Sequence, residues 1–146
     1  MKLKAEVDST GARRLIVQKA GRIQSASQAA LEQLGAEEVG IVRDRIRTGK
    51  SSPDGTAWRP WSLATLRQRV REGTTAGGLL YKTGALYNSI KWKLTGKNLI
   101  IYSDSPYGQY LQSGTSRMPA RPFLGWSKEG LNNFRERLRQ AIRLND

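Results

Sequence analysis

The chain contains no cysteine and no histidine. Without cysteine there is no disulfide framework and no thiol nucleophile. Without either residue, zinc sites built on Cys or His are excluded, as are Ser-His-Asp and Cys-His catalytic systems. No apolar run approaches the ~20 residues needed to span a bilayer, so no membrane partner is expected. Charges at Lys2, Lys4 and Glu6 interrupt the region where a signal peptide needs an apolar stretch. These features predict a protein made in the cytoplasm, or in a particle assembled there. Acidic residues are also scarce, with 12 against 25 lysines and arginines. They are dispersed, and no pair has a reason to converge for acid–base or metal chemistry. No enzyme activity and no cofactor is expected.

What remains is a basic chain of net charge +13, which calls for polyanionic surroundings or acidic protein partners. Residues 49–101 hold nine basic and two acidic residues, a balance of +7, against +3 in each flanking third. The length of 146 residues fits one domain, with loops at about 49–61 and 72–82 read as its flexible parts.

The hydrophobic pattern changes period along the chain. Lys2 to Val7 alternates as a half-buried strand, ended by Asp8-Ser9-Thr10-Gly11. Lys19 to Arg47 is helical, with Ile23, Ala26, Ala30 and Leu34 on one stripe and Val42 and Ile46 continuing it. Gly35 and Gly40 lie inside this helix and predict a break or kink near Gly35. Pro53-Asp54-Gly55 fits a tight turn. Ser62 reads as the cap of a short helix to Arg71. Thr83 is positioned to cap one or two turns ending at Ser89. Ile90, Trp92 and Leu94 alternate with polar residues, Thr95-Gly96-Lys97-Asn98 turns, and Leu99 to Tyr102 returns as a strand apolar on both faces. Ser105-Pro106 opens a helix with Tyr107, Tyr110 and Leu111 on one face and Gly114 at its end. Pro119 to Leu124 reads as a strand between prolines. Ser127 caps a last helix, with Trp126 and Leu131 at the staple positions and Leu131, Phe134, Leu138, Ala141 and Ile142 as its buried stripe. This order argues an α+β fold, a small antiparallel or mixed sheet packed against a long N-terminal helix and a C-terminal helix.

Several segments invite a functional reading. Gly49-Lys50-Ser51 matches the end of a phosphate-binding loop, but Asp44 stands where that loop needs glycine, and a helix precedes it instead of a strand. Arg135, Arg139 and Arg143 recur at every fourth position, either as a solvated face or as a ridge meeting DNA or an acidic subunit. Arg67, Arg69, Arg71 and Lys82 flank the glycine-rich run 72–78. Such a loop suits sequence-independent phosphate contact, ordering on a protein partner, or plain exposure. Trp92 and Trp126 fit core positions. Trp58 and Trp61 lie in a loop and are the expected interface aromatics.

Four segments recur in a set order. They are Pro53-Asp54-Gly55-Thr56-Ala57-Trp58 followed by Pro60 and Ser62; Thr83-Gly84-Ala85-Leu86 followed by Ser89-Ile90; Tyr107-Gly108-Gln109-Tyr110-Leu111-Gln112-Ser113-Gly114; and Pro119-Ala120-Arg121-Pro122-Phe123-Leu124-Gly125. Together they resemble the phage virion morphogenesis proteins, the Mu-like and lambda-type tail-completion and head–tail joining proteins, over residues 40 to 130. Ala85, between Gly84 and Leu86, departs from that pattern. The resemblance implies a non-enzymatic virion component at the neck or tail, assembled in the host cytoplasm. It implies a homo-oligomeric ring that contacts the tail tube or terminator and the head–tail connector, with nonspecific contact to packaged DNA. It also implies structural roles for Asp54, Gly55, Thr83, Gly84, Leu86, Tyr107, Tyr110, Gln112, Gly114, Pro119, Arg121, Pro122, Phe123 and Leu124. Of these, Tyr107, Tyr110, Phe123 and Leu124 are expected to build the fold. The competing reading is a nonspecific nucleic-acid-binding protein.

Overall fold

A computed structural model describes residues 3–8, 22–96 and 98–143. In chain order the elements are β1 (Leu3–Asp8), α1 (Arg22–Thr48), α2 (Leu63–Glu72), α3 (Ala85–Asn88), β2 (Ile90–Thr95), β3 (Asn98–Ser103), α4 (Gly108–Ser113) and α5 (Lys128–Arg143). The turn at 9–11, the helix start at Lys19, Lys97 and the side chains of Ile23 and Ile142 lie outside the described residues.

The sheet is antiparallel, with β3 between β1 and β2. The β2–β3 hairpin pairs Thr95 with Asn98 across a two-residue connection, the length that best matches strand twist. Leu99, Ile100 and Ile101 are all buried, as expected for a strand covered on both faces. The fold is therefore α+β, with the long helix α1 crossing the sheet and α5 packed along α1.

The buried positions of α1 include Ala30, Leu31, Leu34, Glu38, Val39, Val42 and Ile46, the recurring inward face of an amphipathic helix. The apolar ones feed two clusters. One gathers Val42, Ile46, Trp58, Leu86, Ile90 and Phe123, and the other gathers Leu31, Leu34, Leu99, Phe134 and Leu138. Trp92 and Trp126 pack against both and join them.

Two sequence expectations fail. The helix α1 does not break at Gly35. A Cβ there would lie 2.7 Å from Trp92 Cδ2, so the glycine makes room for an indole ring, and that tertiary contact outweighs its low helix propensity. The segment from Pro119 to Leu124 is not a strand and joins no ladder. Proline has no amide to donate, and a side chain replaces the missing partner strand.

The helix α5 is anchored through a buried carboxylate. Glu38, on α1, is fully buried. Its Oε2 accepts from Ser127 N at 3.2 Å, and its Oε1 accepts from Ser127 Oγ. Ser127 Oγ in turn accepts from Gly130 N at 2.9 Å, which makes it the cap of α5. Burial pushes the Glu38 carboxyl above its ordinary value near 4.5, outweighing the Ser127 bonds and the nearby Arg45 charge that pull it down.

Two predictions follow from these contacts. Gly35→Ala is expected to cost about 1–3 kcal/mol by overpacking against Trp92, read as a shift in the urea midpoint. A carboxyl with a raised folded pKa contributes most below its unfolded value, and that contribution is lost as pH rises through the folded value. The melting temperature of the wild type relative to Glu38→Gln should therefore fall as pH is raised from 4.5 into the alkaline range. A difference that stays constant with pH would contradict the assignment.

Candidate assembly interface

The loop 49–61 is held by its own turn chemistry. Asp54 Oδ1 accepts from Thr56 N at 2.9 Å, and Gly55 N donates to Ser52 O at 2.9 Å. Gly55 takes φ +90°, a left-handed conformation that favours glycine. The Thr56 hydrogen bonds hold the Asp54 carboxyl below its usual range. A bridge between Ser51 and Ala57 closes the loop. Trp58 then turns inward and is 6% exposed, with Nε1 donating to Ser52 Oγ and to Pro122 O, both at 3.1 Å. This corrects the expectation of an interface aromatic. The loop closes on the 119–125 segment and takes the indole into the core.

That segment is held by side chains. Gln112 Oε1 accepts from Phe123 N at 3.0 Å and Leu124 N at 3.1 Å, while Gln112 Nε2 donates to Leu124 O at 3.2 Å. Arg121 is 6% exposed and donates from Nε to Arg59 O at 2.9 Å and from Nη2 to Pro60 O at 3.1 Å. Arg45 Nη1 donates to Phe123 O at 2.6 Å. Phe123, Leu124 and Leu86 are buried, and Pro119 and Pro122 are half-buried. Thr83 Oγ1 accepts from Ala85 N at 3.3 Å. Gly84 and Gly114 sit at the start of α3 and the end of α4.

Tyr107 and Tyr110 do not build the core. They are 42% and 50% exposed, and the α4 side chain that packs on the core is Leu111. A six-residue helix has one narrow inward face, and Gly108 and Leu111 occupy it.

The basic residues divide into internal ties and outward charges. Arg69 lies over the Trp61 ring at 4.4 Å and donates to Tyr81 O at 2.7 Å and Thr74 O at 3.3 Å. Trp61 Nε1 donates to Leu79 O at 3.0 Å, and Lys82 pairs with Glu72 at 2.7 Å. These contacts tie the 72–82 loop back to α2. Arg67 and Arg71 point outward, as do Arg135, Arg139 and Arg143, and Arg139 lies 3.6 Å from Glu136.

The helix α2 buries none of its residues. Leu63 is 71% exposed, Val70 62% and Leu66 40%, and these three share one side with Arg67 and Arg71. Sequence reasoning passed over this apolar row. Its three-and-four spacing signals amphipathicity, but the same signal marks a buried stripe. Among the described residues, no three acidic side chains gather to hold a metal ion, and no helix is long and apolar enough to cross a membrane.

The sequence profile of the phage virion morphogenesis family matches residues 8–143. The chain belongs to the phage virion morphogenesis family. It is also similar to the Mu-like prophage FluMu G protein 1 of Haemophilus influenzae, 29% identical over 94 residues. That alignment covers 64% of this chain and 64% of the relative's length. No solved structure matches significantly. Proteins of the phage virion morphogenesis family are structural assembly proteins and not enzymes.

Removing the Gln112 amide strands two backbone N–H groups. Gln112→Ala should cost about 2 kcal/mol, whereas Tyr110→Ser should stay within about 0.5 kcal/mol of wild type. Urea denaturation of both variants checks the contrast.

Proposed function

We propose that this protein completes the phage tail or joins head to tail as one subunit of a closed ring. In this reading residues 1–146 act as one domain. The 49–61 and 72–82 loops, with α2, lie along its contact edge. Tail tube or terminator proteins and the head–tail connector are its neighbours.

The observation that carries the reading is the outward apolar side of α2. A row of Leu63, Leu66 and Val70 that no described part of the chain buries marks an interaction surface. Rings form when one patch meets a different patch on the next copy and the rotation closes. The outward arginines favour a second reading, nonspecific binding of nucleic acid by the isolated chain. It requires duplex affinity that falls with salt at a log–log slope of about −0.9 per phosphate neutralised. It also requires a clear loss of that affinity in Arg67→Ala/Arg71→Ala.

The double variant Leu66→Asp/Val70→Asp tests assembly. Both positions are exposed, so stability should change by less than about 0.5 kcal/mol. The yield of infective particles in a complementation assay should drop at least about tenfold, consistent with loss of a central apolar contact. Normal particle yield from this variant sinks the proposal. Light scattering of the wild-type protein at about 0.15 M and 0.5 M salt, which span a shortening Debye length, would give the ring's stoichiometry if it forms unaided.

A further inference from the structure

A different side of α2 borders a cavity of about 380 Å³, a size that suits a small ligand or one or two side chains. Four arginines line it, Arg59, Arg69, Arg117 and Arg121, and no carboxylate among the described residues does. Arg121 is the most buried of them at 6% exposure. Its Nε and Nη2 are spent on the Arg59 and Pro60 carbonyls, and Nη1 has no hydrogen-bond partner among the described residues. Arg69 is fixed above Trp61 by its bonds to Thr74 and Tyr81. Burial, and then the like charge of Arg69, push the Arg121 guanidinium below its ordinary value. Ser62 and Thr65, at the first turn of α2, face the same space, and a helix N-terminus adds partial positive charge.

Gathered cations are costly when buried, and the Glu72 charge that acts on Arg69 is shared with Lys82. Here the fold fixes Arg69 and Arg121 rigidly against backbone carbonyls, so the charge cannot turn away. An anion in the cavity would offset the repulsion, and guanidinium forks match carboxylates in two-point bonds.

The remaining lining decides which anion. Trp61, Leu79, Leu111 and Met118 give the cavity an apolar wall. A duplex backbone gains nothing from such a wall, and a duplex cannot enter a space of this size. An acidic side chain with apolar neighbours satisfies both the charge and the wall. We propose that this cavity takes a glutamate or aspartate presented on an apolar-flanked peptide segment of another virion protein. The identity of the partner as a virion protein rests on the assembly reading above. The recognition chemistry does not.

The Trp61 indole, which stacks under Arg69, reports on occupancy by its fluorescence. The probe is a blocked hexapeptide of alternating glutamate and leucine. The proposal expects saturable change in emission with this peptide and none with its glutamine counterpart. It expects at least tenfold weaker binding to Arg59→Ala/Arg117→Ala, whose two sites are exposed, so the variant retains the fold. Circular dichroism of the variant checks this. Equal response to both peptides, or no effect of the double variant, overturns the proposal. So does inorganic phosphate or a twelve-base-pair duplex binding in place of the peptide with the same dependence on Arg59 and Arg117. Because the titration uses the isolated protein, failure here leaves particle assembly through Leu66 and Val70 to stand or fall separately.

Discussion

The structure depends on a docking that no sheet ladder provides: the extended segment 119–125 laid against the 49–61 loop. Two prolines remove amides from it, so no ladder forms, and its backbone is tied through Arg121 N donating to Leu111 O at 2.7 Å. Side chains supply the remaining ties, Arg45 among them through Phe123 O. Gln112 bridges Phe123 and Leu124, Trp58 bonds the Pro122 carbonyl, and Arg121 reaches the carbonyls of Arg59 and Pro60. With those bonds made, Phe123 is fully buried beneath α1 and the loop becomes a fixed platform. The platform positions Ser62, which caps α2. Thus the most outward helix in the fold is set by one of its most inward contacts.

The same arrangement explains how so basic a chain folds. Arg45, Arg69 and Arg121, all buried or half-buried, donate to backbone carbonyls, while the half-buried Arg137 pairs with Glu37. Carbonyls satisfy the guanidinium donors without cancelling the charge. Among the described residues a fully buried carboxylate occurs at Glu38, where the cap of α5 and the nearby Arg45 charge offset part of the cost of burial. The fold therefore keeps its excess positive charge while leaving few guanidinium donors unsatisfied. That excess is available for acidic surfaces elsewhere in a particle.

Local chemistry made much of this legible in the sequence. Ser62 and Ser127 cap helices because their hydroxyls meet orphan amides within three residues. The hairpin at 95–98 and the doubly covered β3 follow from turn residues and an unbroken apolar run. What the sequence hid depends on distant partners. Trp58 looks like a surface aromatic until Pro122, 64 positions away, supplies an acceptor. Gly35 looks like a helix breaker until Trp92 occupies the space beside it. Tyr107 and Tyr110 look like core residues because aromatic pairs usually are, yet the short α4 can bury little beyond Leu111. The α2 row was hidden for another reason. Periodicity identifies an apolar side but is silent on whether its partner belongs to the same chain.

The central claim is that the α2 side carrying Leu63, Leu66 and Val70 is open in the free protein and covered in the virion. The chain has no cysteine, so Val70→Cys introduces a single thiol at that side. Its rate of maleimide labelling, measured in the free protein and in purified particles, tests the claim directly. The account predicts fast labelling of the free protein and at least tenfold slower labelling in particles. Equal rates in both would contradict it.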